Sequence, residues 1–365
     1  MGFKSYIDRI KKPADIIKQP WQDFERLLSR GVYWGLRRIC RPRPYPEHVS
    51  SVLLIRRNRL GDAVNLLPLI AALHQRYPGL QIHVMANPYN CAIFEYAEGL
   101  AGLHVMDEDW RFKKLSWRFH PTIRALREKN LDLVIAMGGY SSALAQLSLW
   151  IGGKFNVGVR SAKGGIFDLV YDRPLPYGSP PGDCHVNDMA HLVRAAGLEL
   201  PPVLPPTQIR RPAAAQAGYL AICPDVERKQ SRYPLEYYAE IIETLIARQA
   251  VSKVLLFLRN GNSPYRALEK SGAAWQPTRD VPSFIEAVSQ CQCVLTAEGG
   301  SAHVTGALGQ GVVVLSGMGH QSYWRPYARH VRVLEIKDNV AAIKPADVIE
   351  AILAMQASVA AAPAE

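Results

Sequence analysis

The sequence predicts an α/β protein made of two doubly wound domains with a cleft between them, preceded by an amphipathic helical extension. Three observations support this fold class. Short apolar runs alternate with stretches of helical spacing, a pattern typical of βαβ units in a mainly parallel sheet. A proline-rich segment divides this alternation into two series. The length of 365 residues suits two domains of about 150 to 180 residues each.

The first series predicts four strands and three helices, which we assign to a Rossmann-like N-terminal domain over residues 49–205. The predicted strands are 52–55, 82–86, 133–136 and 156–159, and the predicted helices are 63–76, 113–129 and 141–151. An interdomain linker is predicted by the prolines that follow, which are Pro201, Pro202, Pro205, Pro206 and Pro212.

After the linker the pattern restarts and predicts a second Rossmann-like domain over residues 206–356. Its predicted strands are 219–223, 253–258, 293–296 and 312–315, and its predicted helices are 235–248, 283–290, 301–308 and 346–355. The Ala-rich end, residues 357–365, is predicted to be a disordered tail.

Residues 1–48 are predicted to form a basic amphipathic helix and a proline-rich linker. Apolar residues recur every three or four positions between Trp21 and Ile39, with arginines on the opposite face. The first 50 residues hold eleven basic and five acidic residues, which is +6 of the net charge of +11. Such a helix suits an anionic bilayer surface, where each nearby cation contributes about 1 kcal/mol. A helix docked on the domain body, with a solvated charged face, is the alternative.

Composition excludes several classes of protein. No apolar run reaches the roughly 20 residues of a membrane-spanning helix, and charged residues interrupt the region where a secretory signal would lie. We therefore expect a cytoplasmic protein. Cys291 and Cys293 have the wrong spacing for a zinc site and are expected to be packing thiols. Nucleic-acid binding is disfavoured, because the basic residues are not interleaved with aromatic residues as stacking would require.

A cationic loop follows the first predicted strand and leads into a helix. It consists of Arg56, Arg57, Asn58 and Arg59, and it suits an acidic ligand because arginine binds carboxylate and phosphate in a bidentate fork. Gly61 permits a tight turn. Asp62 then either caps the helix or acts as a general base on a hydroxyl at the cleft.

A second loop, after predicted strand 293–296, places two glycines before a helix. Gly299 and Gly300 allow close approach of a ligand to the backbone, and the helix start at Ser301 predicts a diphosphate site. His303 can add a donor, although a lone histidine can also be structural. Glu298 at the strand exit is either solvated or part of this site.

A third loop, after strand 219–223, is rich in charge. Lys229, Ser231 and Arg232 precede another helix and are candidates for phosphate binding, with a solvated loop as the alternative.

These loops carry a resemblance. Three segments of the chain are similar, in content and order, to motifs of glycosyltransferase family 9, the heptosyltransferases of lipopolysaccharide core assembly. The segments read RLGDAVNLLP, RYPLEYYAEII, and EGGSAHVTGALG followed by VVVLSG. The similarity covers roughly residues 50–355. It implies a GT-B fold, with the acceptor held mainly by the N-terminal domain and an ADP-sugar mainly by the C-terminal one. It also implies that Asp62 is the catalytic base.

The chain departs from the family pattern at three places, all on the donor side. Glu298 stands where the family usually has Asp, followed by Ser or Thr and then Gly. Ser231 stands where the family has a lysine that binds the donor phosphate, so Lys229 or Arg232 would have to substitute. The loop 259–268 contains no acidic residue that could hold the nucleotide ribose. These departures bear on donor identity more than on fold or reaction type.

The resemblance implies inverting transfer of a sugar, expected to be heptose from ADP-heptose, onto an anionic lipid A-linked core. No cofactor or metal is expected, and the acidic run 107–109 is interpreted as a loop. The acceptor would keep the enzyme on the cytoplasmic face of the inner membrane through residues 1–45. Two alternatives stay open: a family 9 transferase with a different nucleotide-sugar donor, and a non-catalytic sugar-nucleotide binding protein at the membrane surface.

Overall fold

The computed structural model describes residues 42–57, 59–107, 116–162, 165–176, 184–210 and 212–361. The predicted helix between residues 21 and 39 lies outside these ranges. The described residues form two six-stranded sheets in which every strand pair is parallel, covered by helices. None of the helices among these residues is long and apolar enough to cross a bilayer.

The first sheet has the strand order β3-β2-β1-β4-β5-β6. Its strands are β1 (Ser51–Ile55), β2 (Gln81–Ala86), β3 (Leu100–Val105), β4 (Leu133–Ala136), β5 (Phe155–Val159) and β6 (Arg173–Leu175). The central strand β1 pairs with β2 from Ser51 opposite Gln81 and with β4 from Val52 opposite Leu133. β3 and β6 were not predicted, and both lie at the edges of the sheet.

The second sheet has the order β12-β11-β10-β7-β8-β9. Its strands are β7 (Gln216–Cys223), β8 (Lys253–Leu256), β9 (Ala273–Trp275), β10 (Cys291–Ala297), β11 (Gly311–Ser316) and β12 (Val331–Glu335). The unpredicted strands, β9 and β12, are again the two edges. Cys291 and Cys293 are fully buried in β10, which confirms that they pack in the core.

Ten α-helices are found among the described residues. They are α1 (Leu60–Val64), α2 (Leu67–Arg76), α3 (Pro121–Glu128), α4 (Ser142–Ile151), α5 (His185–Ala195), α6 (Leu235–Ala247), α7 (Val281–Ser289), α8 (Gly300–Ala307), α9 (Gln321–Trp324) and α10 (Pro345–Ala360).

Three helix predictions need correction. The predicted helix 63–76 is two helices, because Pro68 has no N–H to continue the first one and suits the start of the second. In the predicted helix 113–129, the described part has its α-helix only at Pro121–Glu128, after a 3₁₀ turn at Ser116–Phe119. α10 continues to Ala360, so residues 357–360 of the expected tail are helical.

The two domains share a continuous apolar core and are tied by the linker. The largest core cluster includes Leu60 and Leu66 from the first domain and Val304 and Ala307 from the second. Two backbone hydrogen bonds of 2.8 Å, from Thr207 to Tyr327 and from Ile209 to Ala307, join the linker to the second domain. Loops of the two domains are thereby held against each other.

Candidate active site

The loop after β1 folds directly into the start of α1. Asp62 lies in the first turn, and its Oδ2 accepts a hydrogen bond of 3.3 Å from the backbone N–H of Arg59. A helix start leaves such N–H groups without an intrahelical partner. Asp62 therefore does cap the helix, and this capping uses one of its two oxygens.

The second oxygen of Asp62 belongs to a buried ion pair. Arg56 Nη2 lies 2.7 Å from Asp62 Oδ1, and His185 Nε2 lies 3.4 Å from the same oxygen. Arg56 also donates from Nη1 to the carbonyl oxygen of Met137, and its Nη2 lies 2.7 Å from His185 Nε2. The expectation that Arg56 binds the acceptor is corrected, since its side chain is buried against these partners and 2% exposed.

The environment of Asp62 keeps its carboxylate charged. Burial raises its pKa, but the Arg56 guanidinium 2.7 Å away acts to lower it, and the pKa of Asp62 lies below its ordinary value. The group is therefore ionised at neutral pH, which is the form that can accept a proton.

The rest of the predicted cationic loop does not form one cluster. Arg57 is 7% exposed and donates from Nη2 to the carbonyl oxygen of Met106 at 3.2 Å. Arg59 is exposed and lies 3.9 Å from Glu227 of the other domain. Asn58 lies outside the described residues. Of the predicted acceptor ligands that are described, Arg59 is thus the one placed on the surface.

The loop after β1 and the loop after β10 are in direct contact, although they are some 240 positions apart in the sequence. A Cβ built on Gly61 would lie 2.5 Å from His303 Cδ2, and one built on Gly300 would lie 2.9 Å from Leu60 Cβ. His303 Nδ1 lies 3.1 Å from Asn65 Oδ1. The glycines at both loops therefore allow α1 and α8 to meet at the domain interface.

His303 faces this interface. It is 9% exposed, and burial lowers its pKa to about 4 although the nearby Asp62 charge acts to raise it. His303 is therefore neutral at pH 7. Its burial and its contact with Asn65 favour the structural alternative, and donation by His303 to a diphosphate stays a prediction.

The start of α8 keeps the backbone geometry predicted for an anion site. Gly299 has a φ of +147°, which side-chain-bearing residues rarely adopt, and this explains the glycine before the helix. Ser301 Oγ lies 2.8 Å from Thr296 Oγ1, and this contact links the helix start to β10. The first backbone N–H groups of α8 come directly after Gly299 and lie next to the RLGD turn, residues 59–62.

Two other donor-side residues take part in loop packing. Glu298 is 8% exposed, accepts a hydrogen bond of 2.6 Å from Ser316, and lies 3.6 Å from Arg228. Ser231 is fully buried and accepts a 3.2 Å hydrogen bond from the backbone N–H of Gly317. Ser231 is therefore not placed to bind a phosphate, and Glu298 is not solvated.

Lys229 and Arg232 are on the surface of the third loop. Both are exposed, at either end of the short 3₁₀ turn Lys229–Ser231, which lies before α6. Arg232 makes one weak contact, of 3.5 Å, to the carbonyl oxygen of Glu227. Their position is compatible with the predicted substitution for the missing family lysine.

Four residues that the sequence analysis did not select lie behind Asp62. His185 and Asp188 are on α5, while Tyr323 and Trp324 are on α9 of the other domain. Tyr323 donates its hydroxyl proton to Asp188 and lies 3.3 Å from His185 Nδ1, and the Trp324 and His185 rings are 4.5 Å apart. The three-to-four spacing of apolar residues along 185–195 could have revealed α5.

No group of three or more His, Cys, Asp or Glu side chains in the described ranges is arranged to hold a metal ion. Glu108 and Asp109 of the acidic run lie outside those ranges.

Comparison with protein families gives one match, over more than half of the chain. Residues 119–347 match the model of glycosyltransferase family 9 (heptosyltransferase). A search of curated proteins gives no match.

Solved structures of the same architecture extend the match over both domains. The ADP-heptose LPS heptosyltransferase II of E. coli is 19% identical, with a TM-score of 0.70 over 85% of this chain and 100% of that one. The E. coli heptosyltransferase WaaC with ADP is 18% identical, with a TM-score of 0.69 over 84% and 99%. A family 9 glycosyltransferase of Veillonella parvula is 16% identical, with a TM-score of 0.71 over 87% and 99%. At these identities the structures show the shared GT-B fold. With the family match, they establish that the chain belongs to glycosyltransferase family 9 and is a glycosyltransferase.

Proposed function

We propose that this enzyme transfers heptose from ADP-heptose to an anionic, lipid A-linked core acceptor, with Asp62 as the general base. The observation that carries the proposal is the contact between the RLGD turn and the start of α8, because it brings an ionised carboxylate next to a helix N-terminus suited to diphosphate. The names of the similar E. coli structures support the donor: one contains ADP and another ADP-2-deoxy-2-fluoro heptose.

The lowered pKa of Asp62 is compatible with this role. An acceptor hydroxyl is a weak acid until its oxygen bonds to the anomeric carbon, and it then becomes strongly acidic. A carboxylate of low basicity can therefore take the proton late in the reaction. General base catalysis of this kind contributes roughly 10²- to 10⁴-fold.

On the donor side, we propose that the leaving ADP is stabilised by backbone N–H groups and exposed cations. The N-terminus of α8 offers free N–H groups from Ser301 onward, and the helix dipole favours negative charge there. Lys229 and Arg232 would add positive charge from the third loop. The diphosphate gains charge as the glycosidic bond breaks, so preorganised donors lower the barrier. In this proposal no metal is needed.

One observation favours a second candidate, a family 9 transferase with a different nucleotide sugar. The longer side chain of Glu298 is engaged by Ser316 and Arg228 at the place where the family has Asp. A carboxylate held in this way would present a different surface to the sugar hydroxyls. Donors other than ADP-heptose therefore have to be tested alongside it.

The donor can be identified by thermal unfolding of the wild-type protein with ADP-heptose, ADP-glucose, UDP-glucose and GDP-mannose. A ligand at 100 times its Kd stabilises the fold by about 2.7 kcal/mol, so ADP-heptose should raise Tm by several degrees and the UDP- and GDP-sugars should not. A larger shift with a UDP- or GDP-sugar would overturn the proposed donor and support the second candidate. No shift with any sugar nucleotide would contradict both.

We further propose that residues 1–41 hold the enzyme on the cytoplasmic face of the inner membrane. Their basic and amphipathic pattern supports this, since an acceptor anchored in the membrane is found by an enzyme that stays on its surface.

A further inference from the structure

A chain of polar contacts runs from Asp62 across the domain interface. Within the N-terminal domain, Arg56 Nη2 contacts both Asp62 Oδ1 and His185 Nε2 at 2.7 Å. On its other side, His185 Nδ1 lies 3.3 Å from the hydroxyl of Tyr323, which donates to Asp188. Tyr323 belongs to α9 in the C-terminal domain, so that domain supplies one member of the chain.

The chemistry of the partners fixes the proton positions along this chain. An arginine side chain can only donate hydrogen bonds, so in its 2.7 Å contact with Arg56 Nη2 the Nε2 atom of His185 accepts, and its 3.4 Å approach to Asp62 Oδ1 carries no hydrogen bond. The single proton of a neutral imidazole is then on Nδ1, which donates to the Tyr323 oxygen. That oxygen can accept because its own proton goes to Asp188. All the bonds from Arg56 to Asp188 thus point in one direction.

This chain holds the Asp62 carboxylate in place. One Nη2 proton of Arg56 is directed at Asp62 Oδ1 and the other at His185 Nε2. The orientation of the guanidinium therefore depends on the imidazole as well as on the Met137 carbonyl oxygen that accepts from Nη1. The imidazole is in turn held by the Tyr323 hydroxyl and by contact with the Trp324 ring. His185 is 6% exposed, so the ring has little room to turn.

We propose that Tyr323 and Asp188 are positioning residues for Asp62, acting through His185 and Arg56. Through Tyr323, the C-terminal domain thus helps to position the catalytic base that the N-terminal domain carries. The proposal rests on the function proposed above. Catalytic geometry is sensitive to small displacements, and a shift of about 1 Å can cost roughly 100-fold in rate.

The test is Tyr323→Phe, which removes the hydroxyl and keeps the ring. We expect kcat for sugar transfer to fall by about 10- to 100-fold while KM for donor and acceptor changes by less than about twofold. Tyr327→Phe is the matched control. It removes a hydroxyl that donates to the Leu204 carbonyl oxygen at 2.9 Å and is not a member of the series of contacts from Asp62 to Asp188 described above, so its kcat should stay near that of the wild type. Equal kcat values for the two variants would overturn the proposal, as would an effect of Tyr323→Phe on KM alone.

Asp188 provides a rescue test. Asp188→Asn keeps an oxygen that can accept the Tyr323 proton, whereas Asp188→Ala does not. We expect Asp188→Asn to retain most of the kcat that Asp188→Ala loses, in proteins with matching Tm. Equal losses in the two variants would contradict positioning through this bond.

A measurement on the ligand-free protein separates this proposal from the proposed function. Side-chain ¹⁵N NMR, with His185 assigned through a His185→Gln variant, should show the neutral Nδ1–H tautomer in the wild type and a changed signal in Tyr323→Phe. An Nε2–H or doubly protonated His185 would overturn the chain even if the wild type transfers heptose. An inactive wild type with the expected tautomer would instead contradict the function alone.

Discussion

At the residue scale, the roles of Asp62 follow from its two oxygens. Oδ2 caps α1, and Oδ1 pairs with Arg56, so the alternatives left open by the sequence, cap or base, are compatible with each other. Because its pKa is lowered, Asp62 stays ionised throughout the neutral range. A loss of activity between pH 6 and 7 would therefore have to come from the titration of another group.

Sequence reasoning selected Asp62 because the motif that contains it is local. It could not predict the hydrogen bonds of Ser231 and Glu298, since their partners Gly317 and Ser316 are distant in the sequence and become neighbours only where β10 and β11 end. It missed His185 and Tyr323 for the same reason. A contact across the domain interface has no periodic pattern in the sequence.

His303 gives a prediction for pH-dependent stability. Its folded pKa of about 4 lies below the roughly 6.5 of an unfolded histidine, so the unfolded state takes up a proton first as the pH falls. The neutral histidine stabilises the fold fully above pH 6.5, and this contribution is lost between about pH 6.5 and 4. From pH 7 to 5 the loss should be about 2 kcal/mol.

Urea unfolding of wild type and His303→Gln at pH 7 and pH 5 measures this effect. The wild type should lose about 2 kcal/mol more than the variant between the two pH values, because glutamine does not titrate. The same loss in both proteins would show that His303 does not titrate as the structure indicates.

At the element scale, buried strands were predicted well and edge strands were not. All four unpredicted strands, β3, β6, β9 and β12, are sheet edges. β3 and β12 are only partly buried, whereas β4 and β5 are buried along their whole length. An edge strand has fewer neighbours and needs fewer apolar residues, so its apolar run is too weak to recognise.

The short helices show a related limit. α1 has five residues and packs against α8 through Gly61 and Gly300. Neither glycine favours a helix, so this packing depends on the close approach they allow rather than on helix propensity. The sequence indicated both loops, but the contact between them is a tertiary feature.

At the scale of the whole molecule, residues 42–46, the described end of the extension, are bound to the N-terminal domain. Arg43 pairs with Asp172 at 2.7 Å and donates to the Gly153 carbonyl oxygen, and the Tyr45 hydroxyl donates to the Ala196 carbonyl oxygen at 2.9 Å. The extension is therefore best removed before residue 42, so that these contacts stay intact.

Deleting residues 1–41 should release the protein from vesicles that contain anionic lipid. The segment carries most of the positive charge of the N-terminus, so we expect binding to be lost in the truncated protein and weakened by salt in the full chain. Vesicle co-sedimentation measures this, with neutral-lipid vesicles and thermal unfolding of the truncated protein as controls. Unchanged binding after truncation would show that the extension docks elsewhere, for example on the domain body.

The central claim is that Asp62 is the base of a sugar transfer reaction, and Asp62→Asn tests it most directly. The substitution keeps the shape of the side chain and removes its ability to accept the proton. With ADP-heptose and a lipid A-linked core acceptor, we expect kcat to fall by about 10²- to 10⁴-fold while ADP affinity, measured by calorimetry, stays within about threefold of the wild type. A variant that retains more than a tenth of the wild-type kcat would contradict the account.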